Sequence, residues 1–65
     1  MNMLSEREVE ILQKASEGYR YEDVAAELHL PVQTVKRGAA NLFQKLGADN
    51  IHHAVGIAFR RGILK

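Results

Sequence analysis

Lys36 and Arg37 stand side by side in the stretch "TVKRGAANLFQKLG", residues 34–47, and Gly38, Ala39 and Ala40 follow them with almost no side chain. The two cations offer different chemistry. A guanidinium makes paired hydrogen bonds to one planar acceptor edge, such as O6 and N7 of guanine, whereas an ammonium is a compact charge that serves base or phosphate alike. Other reactive residue types point nowhere so definite. There is no cysteine, hence neither a thiolate metal site nor a disulfide framework, which suits a reducing compartment. His52 and His53 are consecutive and project to different sides of a helix, and no third ligand shares their spacing, which argues against a metal. No nucleophile beside a base, paired carboxylates, phosphate-cradling glycine loop or cofactor motif is present. With 65 residues, read as one domain over 1–65, there is little room for a cleft. The expectation is a non-enzyme with no cofactor and no small-molecule ligand.

Charge sharpens the point about the cations. Residues 1–31 hold seven acids (Glu6, Glu8, Glu10, Glu17, Glu22, Asp23, Glu27) against three bases (Arg7, Lys14, Arg20). Residues 32–65 hold six bases (Lys36, Arg37, Lys45, Arg60, Arg61, Lys65) against Asp49 alone, so a net charge of +1 hides a basic half suited to an anionic partner. Apolar runs fall far short of the ~20 residues that cross a bilayer. The start, "MNMLSEREVE", is acidic where a secretion signal is basic and then apolar. A soluble, unprocessed cytoplasmic chain with no membrane partner is expected.

Helical periodicity supplies the frame for these residues. In "LSEREVEILQKASEG", Ser5 and Glu8 have capping-box spacing, Val9, Leu12 and Ala15 share one side, and Gly18 ends the helix. A short second helix in "YEDVAAELHL" places Val24, Ala25 and Leu28 on one face, with Glu22 and Asp23 in the first turn. Pro31 forces a turn around His29 and Leu30, and a third helix runs from about Val32 to Leu46 with Val35, Ala39, Leu42, Phe43 and Leu46 inward and Gly47 as its left-handed cap. Asp49 or Asn50 caps a fourth, whose inward stripe is Ile51, Ala54, Val55 and Ala58, before Gly62, Ile63 and Leu64. No β-alternation occurs, so the fold class is all-α with four helices.

A helix, a tight turn and a second helix opening with cations is the order of a helix-turn-helix, whose second helix reaches base edges in the major groove while the first spans the backbone. Small residues behind the cations let such a helix sink into a groove about 12 Å wide. Without a gap from Leu4 to Leu64, the chain resembles the LuxR/GerE-type DNA-binding domain. The family opening "L-[ST]-x-R-E-x-E-[VI]-L" is matched by "LSEREVEIL" and its "EG" by Glu17 and Gly18. Its second helix resembles "EDVAAEL", its recognition segment "TVK…NLFQKLG" and its ending "HAVGIAFRRGIL". "YEDVAAELHLPVQTVKRG" is similar also to region four of bacterial sigma factors. That region does not normally continue into "KLG" and a fourth helix of this kind, whereas LuxR/GerE domains do.

The resemblance implies double-stranded DNA as the partner. Positions matching Lys36, Arg37 and Ala40 look toward base edges, those matching Gln33 and Thr34 touch the backbone, and Asn41 belongs to the same DNA-facing group. Arg37 is the expected guanine reader, and Ala40 meets a thymine methyl. Some family phosphate anchors are missing: Gly38 replaces a usual histidine, Glu22 a common lysine, and Asp49 and Ile51 stand where arginine is frequent. Arg20 takes the place of a small polar cap, and Arg20 and Tyr21 either reach phosphate or, for Tyr21, form a lid on the second helix. A second stripe on the last helix, His52, Gly56, Phe59 and Ile63, implies a two-fold homodimer, the alternative being that Phe59 covers the edge of the first helix.

Taken together, the sequence predicts a stand-alone, sequence-specific transcriptional regulator of bacterial or phage origin, nucleoid-associated, without a receiver or ligand-binding domain. Its rival is an interaction module that regulates by binding RNA polymerase, a sigma factor or another LuxR-type regulator. The smooth Gly38-Ala39-Ala40 surface and the missing anchors speak for that rival.

Overall fold

The computed structural model describes residues 3–65, which form four helices: α1 (Glu6–Ser16), α2 (Tyr21–Leu28), α3 (Val32–Leu46) and α4 (Ile51–Arg60). Their starts follow from side chains that capture free backbone N–H groups. The Ser5 hydroxyl accepts from the Glu8 N–H at 3.1 Å, and the Glu8 carboxylate accepts from the Ser5 N–H at 2.8 Å, a complete capping box. Asn50 caps α4 by accepting the His53 N–H at 2.9 Å. Arg20 opens α2 without an acceptor of its own, since a guanidinium only donates; instead Asp23 accepts the Arg20 N–H at 3.1 Å.

All four helices stop by one device. A residue with positive φ turns the chain, and the next N–H reaches back to a carbonyl five residues earlier: Tyr19 to Lys14 (3.1 Å), Leu30 to Ala25 (2.9 Å), Ala48 to Phe43 (2.8 Å) and Ile63 to Ala58 (2.8 Å). The turning residues are Gly18, His29, Gly47 and Gly62, and among the described residues only His29, at φ 57°, adopts positive φ with a side chain. That conformation costs an L-residue about 1 kcal/mol or more, and it lies in the turn joining α2 to α3. Pro31 then opens α3.

Amphipathic faces do the rest. The central pair is α1 and α3, each packed against the other and against both α2 and α4. Ile11, Leu12, Val24, Val35 and Leu42 are sealed in the middle, with Ala54 and Ala58 of α4 closing one side. Leu4 and Leu64 fold back from the ends onto the same cluster.

Two expected stripes are rotated. On α1, Leu12 is fully buried, but Ile11 and Glu8 take the other deep positions while Val9 and Ala15 are half-buried. On α4 the buried set is Ala54, Ile57 and Ala58, with Ile51 and Val55 at the margin. α1 faces three neighbours and α4 two, so in each helix the deep line runs between the contacts and departs from the simplest apolar stripe.

Candidate nucleic-acid interface

On α3 the apolar and polar residues separate by geometry. Val35, Ala39, Leu42 and Leu46 are buried, whereas Gln33, Thr34, Lys36, Arg37, Ala40, Asn41 and Gln44 are exposed. Positions 33, 36, 37, 40, 41 and 44 recur at three- and four-residue intervals, so they form one continuous outward stripe. Gln44 was not singled out from sequence, although the same periodicity would have found it.

The cations of the molecule fall into committed and uncommitted sets. Lys45 donates to Glu8 at 2.9 Å, Lys14 to Glu27 at 3.1 Å, and Arg7 lies 3.6 Å from Glu10. Lys36 and Arg37 are exposed and take part in none of the ion pairs or hydrogen bonds among the described residues. Their α3 terminus adds to this. It has no acid in its first turn, and Pro31 brings no side-chain acceptor, so the positive end of the helix dipole is left uncompensated.

What holds the stripe outward is the opposite face of α3. Glu8 is 6% exposed, and burial works to raise its pKa; the Lys45 ammonium and the Ser5 amide and hydroxyl outweigh that and hold it below the ordinary 4.5. This ion pair ties the start of α1 to the last turn of α3. Sequence reading saw Glu8 only as a cap, because its partner lies 37 residues away.

Gly38 has a different role from the one its neighbours suggest. A Cβ built there would lie 2.9 Å from Cδ1 of Ile11, which is 1% exposed. The missing side chain is therefore on the α1 side of α3 and allows the two helices to approach. Of the three small residues, Gly38 serves that approach, Ala39 is buried, and Ala40 alone is exposed on the polar stripe. The close approach that the glycine requires is met inside the molecule, so Gly38 does not count toward a smooth outer surface.

The remaining residues singled out from sequence lie around this stripe or apart from it. Arg20 is exposed at the start of α2. Tyr21 is half-buried against the core cluster, and burial pushes its phenol pKa up. Exposed Glu22 and Asp23 occupy the same turn, a negative element where the cationic stripe has none. On α4, His52 and Gly56 are exposed and Phe59 is 47% exposed; Ile63, expected on the same helix, lies beyond its last turn and is half-buried. No cluster of three metal-ligating side chains occurs among the described residues.

Comparison with known proteins agrees with this geometry. Residues 2–58 match the family described as bacterial regulatory proteins, luxR family. The chain is 35% identical over 63 residues to the response regulator protein VraR of Staphylococcus aureus, and equally to VraR of Staphylococcus epidermidis. These alignments cover 97% of this chain and 30% of each relative, so the chain spans about a third of the length of those proteins. Among solved structures it superposes on the transcription factor GerE with a TM-score of 0.94 at 31% identity, covering all of this chain and 97% of that one. The response regulator ChrA of a heme-sensing two-component system gives 0.93 at 34%, covering 98% of this chain and 32% of that one. A family match over most of the length, with the same four helices and a free cationic stripe on the third, makes this chain a helix-turn-helix regulator domain, not an enzyme, and a member of the luxR family of bacterial regulatory proteins.

Proposed function

We propose that this chain is a sequence-specific DNA-binding transcriptional regulator that lays α3 in the major groove. The observation that carries the reading is the outward stripe Gln33, Lys36, Arg37, Ala40 and Asn41, its side chains exposed and without internal partners, running from the uncapped end of α3 to its middle. Lys36 neutralises phosphate or reads a base, Arg37 reads guanine, Ala40 lies against a thymine methyl, and Gln33 and Thr34 hold the backbone. Arg20 and the Tyr21 hydroxyl supply flanking phosphate contacts from the start of α2. Two copies join through His52, Gly56 and Phe59 of α4 and Ile63 just after it, bringing two α3 helices to successive major grooves about one helical turn apart. The site of action is the bacterial nucleoid.

Binding to duplex DNA as a function of salt tests this. Affinity falls with salt, with a slope made shallow by the few phosphate anchors, and Lys36→Ala lowers that logarithmic slope by about 1 per domain while weakening all sequences alike. Arg37→Ala instead relaxes discrimination at one base pair, by about 1–3 kcal/mol. Absence of binding at low salt, or indifference to both substitutions, refutes the DNA face.

One observation favours a second reading, in which the domain engages RNA polymerase, a sigma factor or another regulator. Glu22 and Asp23 are exposed in the turn that opens α2, where they repel a phosphate backbone and suit a basic protein surface. Charge reversal at these two residues strengthens DNA binding under the first reading and abolishes partner binding under the second.

A further inference from the structure

Three planar, paired-donor or donor–acceptor side chains stand in a single line on α3: the carboxamide of Gln33, the guanidinium of Arg37 and the carboxamide of Asn41. Each is four residues from the next, hence about 6 Å further along the helix axis. All three are exposed, and none is engaged in a hydrogen bond or ion pair among the described residues. The other amide side chains among the described residues divide: Gln13 donates to Glu17 at 3.1 Å and Asn50 accepts the His53 N–H at 2.9 Å, whereas Gln44, three residues beyond Asn41, is exposed and unengaged like the three in the line. Between Arg37 and Asn41 the only outward residue on the line is Ala40, with a methyl group. On the Arg37 side the short Asn41 side chain therefore has only a methyl group beside it; exposed Gln44 and Lys45 flank it on the other side.

A carboxamide matches adenine as a guanidinium matches guanine: it accepts from the N6 amino group and donates to N7 at once. Base pairs follow one another at about 3.4 Å, so groups about 6 Å apart on a helix lying along the groove fall close to two base-pair steps apart. We infer that Gln33, Arg37 and Asn41 together read a spaced purine pattern, a guanine flanked two steps away on each side by adenine, through the N7 edge of all three bases. The inference rests on the DNA-binding reading above and deepens it. It moves Gln33 from the backbone to a base and makes Asn41 a specificity determinant.

Selection of bound duplexes from a random pool by the full chain is the first arm of the test. The expected half-site holds the guanine and both adenines at that spacing. The second arm replaces each purine in turn with its 7-deaza analogue, which keeps base pairing and removes the N7 acceptor. Loss of N7 at the adenine facing Asn41 is expected to weaken the wild-type chain roughly tenfold and to leave Asn41→Ala unaffected, with the same relation between the other adenine and Gln33→Ala. These residues are exposed, and unchanged helical circular dichroism in each variant confirms that folding is intact. An enriched site lacking the flanking adenines, or deaza penalties identical in wild type and variants, overturns this inference while leaving DNA binding in place. Failure of every duplex to bind at low salt overturns both.

Discussion

Replacing Gly38 with alanine isolates the contact that sets how closely α3 approaches α1. In an ordinary helix interior Gly→Ala stabilises by about 1 kcal/mol. Here the new Cβ would sit 2.9 Å from the Ile11 Cδ1, well inside the ~3.5–4.0 Å of a comfortable carbon–carbon contact. Ile11 is only 1% exposed, so its methyl cannot swing into solvent and must shift within a filled core. Such overpacking costs about 1–3 kcal/mol, which cancels the helical gain and leaves the variant between neutral and about 2 kcal/mol destabilised. Ile11→Val removes the obstructing methyl itself at a cost of about 1 kcal/mol. In that background Gly38→Ala recovers its helical gain and refills part of the space, giving a coupling of about 1–3 kcal/mol between the two sites. Urea unfolding of the four proteins, followed by circular dichroism, measures the cycle; for a chain this small each kcal/mol moves Tm by about 4–8 °C. If Gly38→Ala stabilises by about 1 kcal/mol in both backgrounds, the reasoning is refuted and the glycine has another origin.

Further outcomes follow from the ion pair, the turn and α4. Because Glu8 titrates below its ordinary 4.5 in the folded chain, its contribution is complete above the unfolded value and is lost as pH falls through the folded one. Acid titration of stability should therefore show wild type weakening below about pH 4.5, with Glu8→Gln less stable at neutral pH and flatter across that window. His29→Gly relieves a left-handed residue whose side chain is exposed, and thermal unfolding should show a gain of about 0.5–1 kcal/mol; a loss would mean that the imidazole makes a stabilising contact. Phe59→Glu should convert a sedimenting dimer to monomer without altering helix content, whereas a wild-type monomer at high concentration removes the α4 dimer.

Most of the fold was legible because its signals are local. Ser5 with Glu8, Pro31 ahead of Val32, and glycine at three of the four helix ends each act within a few residues, and they bound the helices correctly. The inward line of α3 was read from its spacing alone, and the outward stripe is what that line leaves over. Apolar periodicity served less well for α1 and α4. Ile11 and Ile57 are buried on helices that pack against more than one partner, and a single helix carries no information about the further partners.

Gly38 shows where local reading stops. Seen along the chain, it belongs with Ala39 and Ala40 as one smooth patch, and that patch invited a partner to cover it. Seen across the core, the three residues face three surroundings: the Ile11 methyl, the buried cluster and solvent. The distinction rests on one contact between residues 27 positions apart, which no sequence spacing encodes. Its consequence is functional as well as structural, because the smooth patch was one of two arguments for a protein partner, beside the missing phosphate anchors. With Gly38 and Ala39 turned inward, what remains outside is Ala40 among Lys36, Arg37 and Asn41, a polar, cationic line with the chemistry of a base reader. The case for a protein partner then rests on the missing phosphate anchors and on Glu22 and Asp23 of α2, so charge changes in α2, and not at Gly38, are the ones that discriminate between the two functions.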